Sequence, residues 1–383
     1  MENKLKKYLN YLIKHNGSDL HLKAGSSVHM RRNGELFALK GERLSNEDMT
    51  AIAKEMLTTP QYNQLVDSKE LDCSYALDET KRFRVNFFYQ VGGLSAVLRA
   101  IPENILSIDE LNLPEVVKDL ADLQSGLVLV TGVTGSGKST TLAAMLDRIN
   151  QRKRKHIISI EDPVEYMHKE QKSLVTQRAI GTNTHSFANA LRSALREDID
   201  IIFIGELRDL ETMEIALHAA NTGHLVFSTL HTLDAKESIS RIIGMFPNEE
   251  QERVRMTLSF VLEGVISQRL VKDKEGGRVP AVEVMKGTAR ISELIAEKRD
   301  SEILEAIEKG KEIYGTQSFD QSLLDFYNSG RITQEEALRN ATSPSDMNLM
   351  MQGIRQASGH ENAKTVRSKN ARKNFFDLKK PQA

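Results

Sequence analysis

Residues 126–139 read GLVLVTGVTGSGKS, and the fold follows from them. The first part, 126–131, is a continuous apolar run, which predicts a strand buried on both faces. Gly132 to Ser139 then match G-x-x-x-x-G-K-[ST] throughout. Beyond them, Leu142, Met145, Leu146 and Ile149 recur at helical spacing. A strand, a glycine-rich loop and a helix in that order form a phosphate cradle. Gly132, Gly135 and Gly137 let backbone N–H groups turn inward around phosphate oxygens at the positive end of the helix. Lys138 brings a charge to the β- and γ-phosphates, and the Ser139 hydroxyl suits Mg²⁺. Thr134, Ser136 and Thr140 complete the loop residues expected against ATP.

Similar apolar runs follow at HIISIED (156–162), IDIIFIGE (199–206) and GHLVFSTLH (223–231), with helical stretches between them. Buried strands alternating with helices predict a parallel α/β sheet. Hydrolysis asks for more than a phosphate loop: a group that activates water and a further contact to the metal. Acidic clusters stand where two of these runs end, IEDPVEY (160–166) and GE (205–206), and α/β sites form at the C-terminal ends of strands. Gly205 occupies the position where an Asp commonly ends such a strand, which leaves Glu206 to reach Mg²⁺ directly or through water. His224 and His231 flank the last run. No Cys and no close third His accompanies them, which argues against zinc. His231, at a strand end beside the nucleotide strands, is placed to sense the γ-phosphate. Residues 247–271 and 289–310 read as helices, with no further buried strand after them.

Upstream, Leu5, Leu9, Leu12 and Ile13 mark a helix, and DLHLKAG alternates as a half-buried strand does. VHMRRNGELFAL predicts a hairpin turning at Asn33-Gly34. Residues 45–68 return to helical periodicity, and LDCSYAL, RFRVNFFYQ and GLSAVLRAIP form a second group of strands. The expected organisation is an α+β unit over 1–102, an α/β unit with C-terminal helices over 103–355, and a polar, basic, disordered tail over 356–383. The chain has 52 basic and 53 acidic side chains, a net charge of −1. That balance argues against nucleic acid or an anionic membrane surface as the partner. A single cysteine, Cys73, excludes disulfide scaffolds and Cys-rich zinc modules. No apolar run is long enough to span a bilayer, and the N-terminus lacks a signal-peptide pattern. A cytoplasmic protein without membrane insertion is expected.

The loop at 132–139, EDPVEY (161–166), GELRD (205–209) and GHLVFSTLHT (223–232), in that order and at compact spacing, closely resemble the secretion-ATPase superfamily. That superfamily powers type II and type IV secretion and type IV pili. Its four segments are the Walker A, Asp, Walker B and His boxes, and a glycine before the Walker B Glu is normal there. GSDLHLKAG (17–25), RFRVNFF (82–88), TTLAAMLDRIN (140–150) and SALRED (193–198) look like the PilT/PilU branch, the pilus retraction ATPases. Assembly ATPases usually carry a four-cysteine zinc module, which Cys73 alone cannot make.

The resemblance implies a PAS-like N-terminal domain, a RecA-like ATPase domain and a ring-shaped homo-hexamer. It implies a motor at the cytoplasmic face of the inner membrane that turns a membrane platform protein, alone or with a paralogous pilus ATPase. By position it makes Glu165 the catalytic base, Glu206 the Walker B Glu, and His224 and His231 the His-box pair. Arg84 and Arg99 match the N-terminal-domain arginines that close over the γ-phosphate, expected here from a neighbouring subunit. One departure stands out. The PilT branch has an Ala-Ile-Arg-Asn-Leu-Ile signature, whereas residues 289–295 read Ala-Arg-Ile-Ser-Glu-Leu-Ile, and 318–346 look more like PilU. A nucleic-acid motor is the rival reading, disfavoured by the charge balance. A non-hydrolysing adaptor is the other, disfavoured by the intact Lys138, Glu165 and Glu206.

Overall fold

The computed structural model describes residues 2–353 except positions 33, 42, 79, 80 and 103. The expected tail at 356–383 and Asn33 of the hairpin turn lie outside the described residues. Six antiparallel strands form the N-terminal sheet: β1 (Asp19–Lys23), β2 (His29–Arg32), β3 (Glu35–Ala38), β4 (Glu70–Ala76), β5 (Arg82–Gln90) and β6 (Gly93–Ala100). Their order is β3-β2-β1-β6-β5-β4. The period of two along each strand sorts the faces. Phe83, Val85 and Phe87 of β5 and Leu94, Ala96 and Leu98 of β6 are buried. They share a core with Leu5, Leu9 and Leu12 of the first helix and with Met49, Ile52 and Leu65. The same alternation sends Arg84 and Arg99 to the opposite face. Those two residues are direct register partners across β5 and β6, so their side chains stand together.

The periodic stretch 45–68 is two helices, not one: Asn46–Met56 and Thr59–Ser68. Leu57 and Thr58 adopt extended backbone between them, with Thr58 capping the second helix and Pro60 in its first turn. Proline suits a first turn and ends the helix before it.

The second sheet has seven strands: β7 (Gly126–Thr131), β8 (His156–Glu161), β9 (Leu174–Ala179), β10 (Ile201–Ile204), β11 (Leu225–Leu230), β12 (Leu262–Lys272) and β13 (Arg278–Lys286). The order is β13-β12-β7-β11-β10-β8-β9. Every neighbouring pair is parallel except β12–β13, an antiparallel hairpin. β7, β10 and β11 are buried along their whole length, with helices over both faces, as a parallel sheet requires. The helix after the glycine loop runs Lys138–Arg152.

The expectation of one helix over 247–271 with no strand to follow is corrected. The helix Gln251–Val261 passes straight into β12, and β12 and β13 are both largely buried. Leu262, Val265, Ile266 and Leu270 fit helical spacing as well as a buried strand, so periodicity alone does not separate the two. What decides is the sheet: β12 fills the open side of β7 in parallel register, Val265 opposite Leu129 and Ile266 opposite Val130. Helices then close the C-terminal side as expected, among them Ala289–Ala296 and Phe319–Asn328.

Candidate active site

The C-terminal ends of β7, β8, β10 and β11 lie along one edge of the sheet. The loops that leave them are the phosphate loop, 162–165, 205–206 and His231. They surround a cleft of about 750 Å³. Thr134, Gly135, Gly137, Lys138, Ser139 and Thr140 line it, with Glu165, Glu206 and His231. Gly132 and Ser136 sit behind this surface, buried in the turn of the loop. The backbone of Gly132, Gly135 and Gly137 has positive φ, which closes the turn around the cradle.

Lys138 is buried, and its ammonium donates to the carbonyls of Gly132 at 2.9 Å and Val133 at 3.1 Å. Burial lowers its pKa, and the carboxylates of Glu165 and Glu206 pull the other way. Both acids therefore act on the lysine electrostatically.

The loop after β8 is held from two sides. Glu161 is fully inside the fold, and its carboxylate accepts from the Ser159 hydroxyl at 2.7 Å and from the backbone N–H of Glu165 at 3.2 Å. Burial pushes the Glu161 carboxyl up to about 7, against those hydrogen bonds. Tyr166 joins the loop to the helix of the phosphate loop through its hydroxyl, 2.8 Å from the Thr140 hydroxyl. The Glu165 side chain is left exposed to the cleft between these anchors.

Gly205 has a steric reason. A Cβ there would stand 3.3 Å from both the Cα of Glu161 and the carbonyl of Ile160, because β8 and β10 run close together. Glu206 follows at the strand end, mostly buried, with Arg208 Nε at 2.5 Å and His231 Nε2 at 3.5 Å. With the oxygens of a bound phosphate, this carboxylate and the Ser139 hydroxyl would supply an all-oxygen set of the kind Mg²⁺ takes, with one or two protein ligands.

Arg84 and Arg99 line the cleft of their own chain, opposite the phosphate loop. The outward face of the N-terminal sheet thus turns toward the loop of the same chain. Asp19 sets the direction of Arg99. It is buried in β1 as the register partner of Arg99, accepts from Arg99 Nε at 2.8 Å and from the Ser18 hydroxyl at 2.8 Å. The Arg99 side chain remains two-thirds exposed.

His224 is also corrected. It lies at the N-terminal end of β11, where Nδ1 is 3.1 Å from the carbonyl of Ala219. The strand between it and His231 is six residues long, about 20 Å at the usual rise. His224 caps the end of a helix and does not line the cleft.

Several cleft residues escaped the sequence reading, among them His168, Arg278 and Leu270. His168 is held neutral by burial, its pKa pushed down to about 4, and its Nδ1 has no partner among the described residues. Its place just beyond EDPVEY was the signal available. Leu270 lies in the stretch 247–271 expected to be helical, and Arg278 in the strand paired with it.

A loop, a water-facing carboxylate, a metal-type acid and paired arginines around one cleft define an NTP-hydrolysing site of the P-loop class. The sequence model of the family described as "Type II/IV secretion system protein" matches residues 1–339, and the chain belongs to that family. Within it the chain is an ATPase of the PilT/PilU type. It is 45 % identical over 336 residues to the "Type IV pilus retractation ATPase PilT" of Pseudomonas aeruginosa, covering 88 % of this chain and 97 % of that one. It is 39 % identical over 346 residues to the "Type IV pilus ATPase PilU" of the same organism, covering 90 % of each. Among solved structures, the pilus retraction motor PilT with bound ADP superposes with a TM-score of 0.83 at 44 % identity. That match covers 89 % of this chain and 97 % of the other.

Proposed function

We propose that this chain is the motor of type IV pilus retraction. It works as a homo-hexameric ring at the cytoplasmic face of the inner membrane, and ATP hydrolysis turns a membrane platform protein. The observation that carries the reading is the shared cleft: phosphate loop, Glu165, Glu206, Arg84 and Arg99 line one space, in a chain matching a retraction ATPase over nearly its whole length.

Glu165 takes the proton from the attacking water, while Lys138 and the two arginines stabilise charge developing on the γ-phosphate. Ser139 and Glu206 would hold Mg²⁺, which neutralises phosphate charge when bound. His231, beside Glu206, reports the state of the γ-phosphate to β11. In domain terms, residues 1–102 move against 103–355, because the cleft lies between the two sheets and nucleotide draws Arg84 and Arg99 toward the loop. Thr134, Gly135, Gly137 and Thr140 frame the phosphates.

Deletion of the gene, scored by pilus number and twitching, tests this. Excess pili that do not retract are expected; loss of pili overturns it in favour of assembly. A second reading, an accessory PilU-like ATPase beside an active paralog, is favoured by 318–346 and by the departure at 289–295, where Arg290 pairs with Glu293 at 3.0 Å. It predicts a deletion phenotype only when the paralog is impaired.

A further inference from the structure

Gln268 lies in β12, beside the phosphate-loop strand, with its side chain buried beneath the loop. Both ends of its amide are used. Nε2 donates to the carbonyl of Ser136 at 2.7 Å, and Oε1 accepts from the Thr141 hydroxyl at 2.8 Å. The reverse orientation would set two acceptors face to face at Ser136. The fit around it is close: a Cβ at Gly137 would meet Nε2 at 2.6 Å, and a Cβ at Gly132 would meet the Gln268 carbonyl at 2.4 Å.

The Ser136 bond has a consequence for phosphate. In a planar trans peptide the C=O and the following N–H point in opposite directions. A Ser136 carbonyl turned down onto Gln268 therefore turns the Gly137 N–H up, on the side of the cleft. A phosphate cradle needs its N–H groups on that side. We propose that Gln268 is a positioning residue for nucleotide binding, which fixes the Ser136–Gly137 peptide in the phosphate-binding orientation before nucleotide arrives. It touches no phosphate and acts through the loop. Leu270 and Arg278 of the same hairpin reach the cleft directly, so this strand pair supports the site from below and lines it from the side.

The proposal rests on 132–139 being the phosphate loop, and Lys138→Ala serves as the control. If that variant bound a fluorescent ADP like the parent, the loop assignment itself would fail. The test proper compares Gln268→Met, which keeps the volume and removes both hydrogen bonds, with Gln268→Ala, which removes the volume too. Both are made in the full chain and titrated with the fluorescent ADP. Leaving a buried carbonyl unpaired weakens binding about tenfold in both variants. The KM for ATP rises in step and kcat falls less, because bound phosphate draws the loop to the same shape. A packing role predicts instead that Met binds like the parent and only Ala is impaired. ADP affinity within about twofold of the parent for a folded Gln268→Met overturns the proposal. Should that variant not fold, Thr141→Val decides, since it frees one end of the amide. Affinity reduced about threefold supports the assignment, and parental affinity overturns it.

Discussion

At the scale of residues, the cleft assigns different work to two glutamates four positions apart. Glu161 is buried and anchors the backbone of Glu165, whose own side chain faces the cleft. Glu165→Gln keeps the shape and removes only the proposed base. Turnover should fall about 10²–10⁴-fold with ATP affinity unchanged, measured by single-turnover hydrolysis and nucleotide titration. A parallel loss of binding would make Glu165 a structural or metal-binding residue. Glu161 has a pH signature instead. Its carboxyl sits near 7 in the folded chain against an ordinary 4.5. The folded state thus binds the proton more tightly, so this group's contribution to stability is present at low pH and is lost as pH rises from 4.5 to about 7. Glu161→Gln lacks that loss. The difference in melting temperature, variant minus parent, should therefore increase between about pH 5 and about pH 8. A difference independent of pH would show that Glu161 is not buried as a proton-binding group.

Among the elements, the phosphate loop shows how tightly sequence and shape agree. Gly132 has φ +139, and a Cβ there would collide with the backbone carbonyl of Gln268. Flexible side chains yield to such a clash, but a carbonyl in the middle of a sheet does not. Gly132→Ala should destabilise the fold by about 1–3 kcal/mol and abolish ADP binding, read by thermal melts with and without nucleotide. A nucleotide-induced shift equal to the parent's would contradict the strained geometry.

This loop, the strands on either side of it in sequence and the acidic clusters were legible because each carries a local rule. Glycine spacing, unbroken apolar runs and carboxylates at strand ends are such rules. The β12–β13 hairpin was not legible. Its apolar spacing fits helix and strand alike, and only its partner β7, far away in sequence, decides between them. Gln268, Leu270 and Arg278 were lost with it. His224 misled for a related reason. A family box spans the whole of β11, but a strand carries its two ends to opposite edges of the sheet, and only His231 reaches the cleft.

For the whole molecule, the decisive fact is that two sheets from one chain meet at the nucleotide cleft. The alternation along β5 and β6 buries Phe83, Val85 and Leu98 against the N-terminal helices and turns Arg84 and Arg99 outward. Asp19 holds Arg99 in that direction. The arginines then face the loop of the same chain, and any motion of one sheet relative to the other alters the distance between cation and phosphate. In the proposed function, this is how hydrolysis at 132–139 would become movement of the N-terminal sheet. The measurement that tests this most directly is ATP turnover by rings made from an equal mixture of Arg84→Ala/Arg99→Ala chains and Glu165→Gln chains, with subunit exchange shown separately. If each chain builds its own cleft, every site in the mixture lacks either the arginines or the base. The account predicts turnover no higher than that of the two variants alone. Turnover clearly above both would place the arginines in a neighbouring subunit's cleft and contradict it.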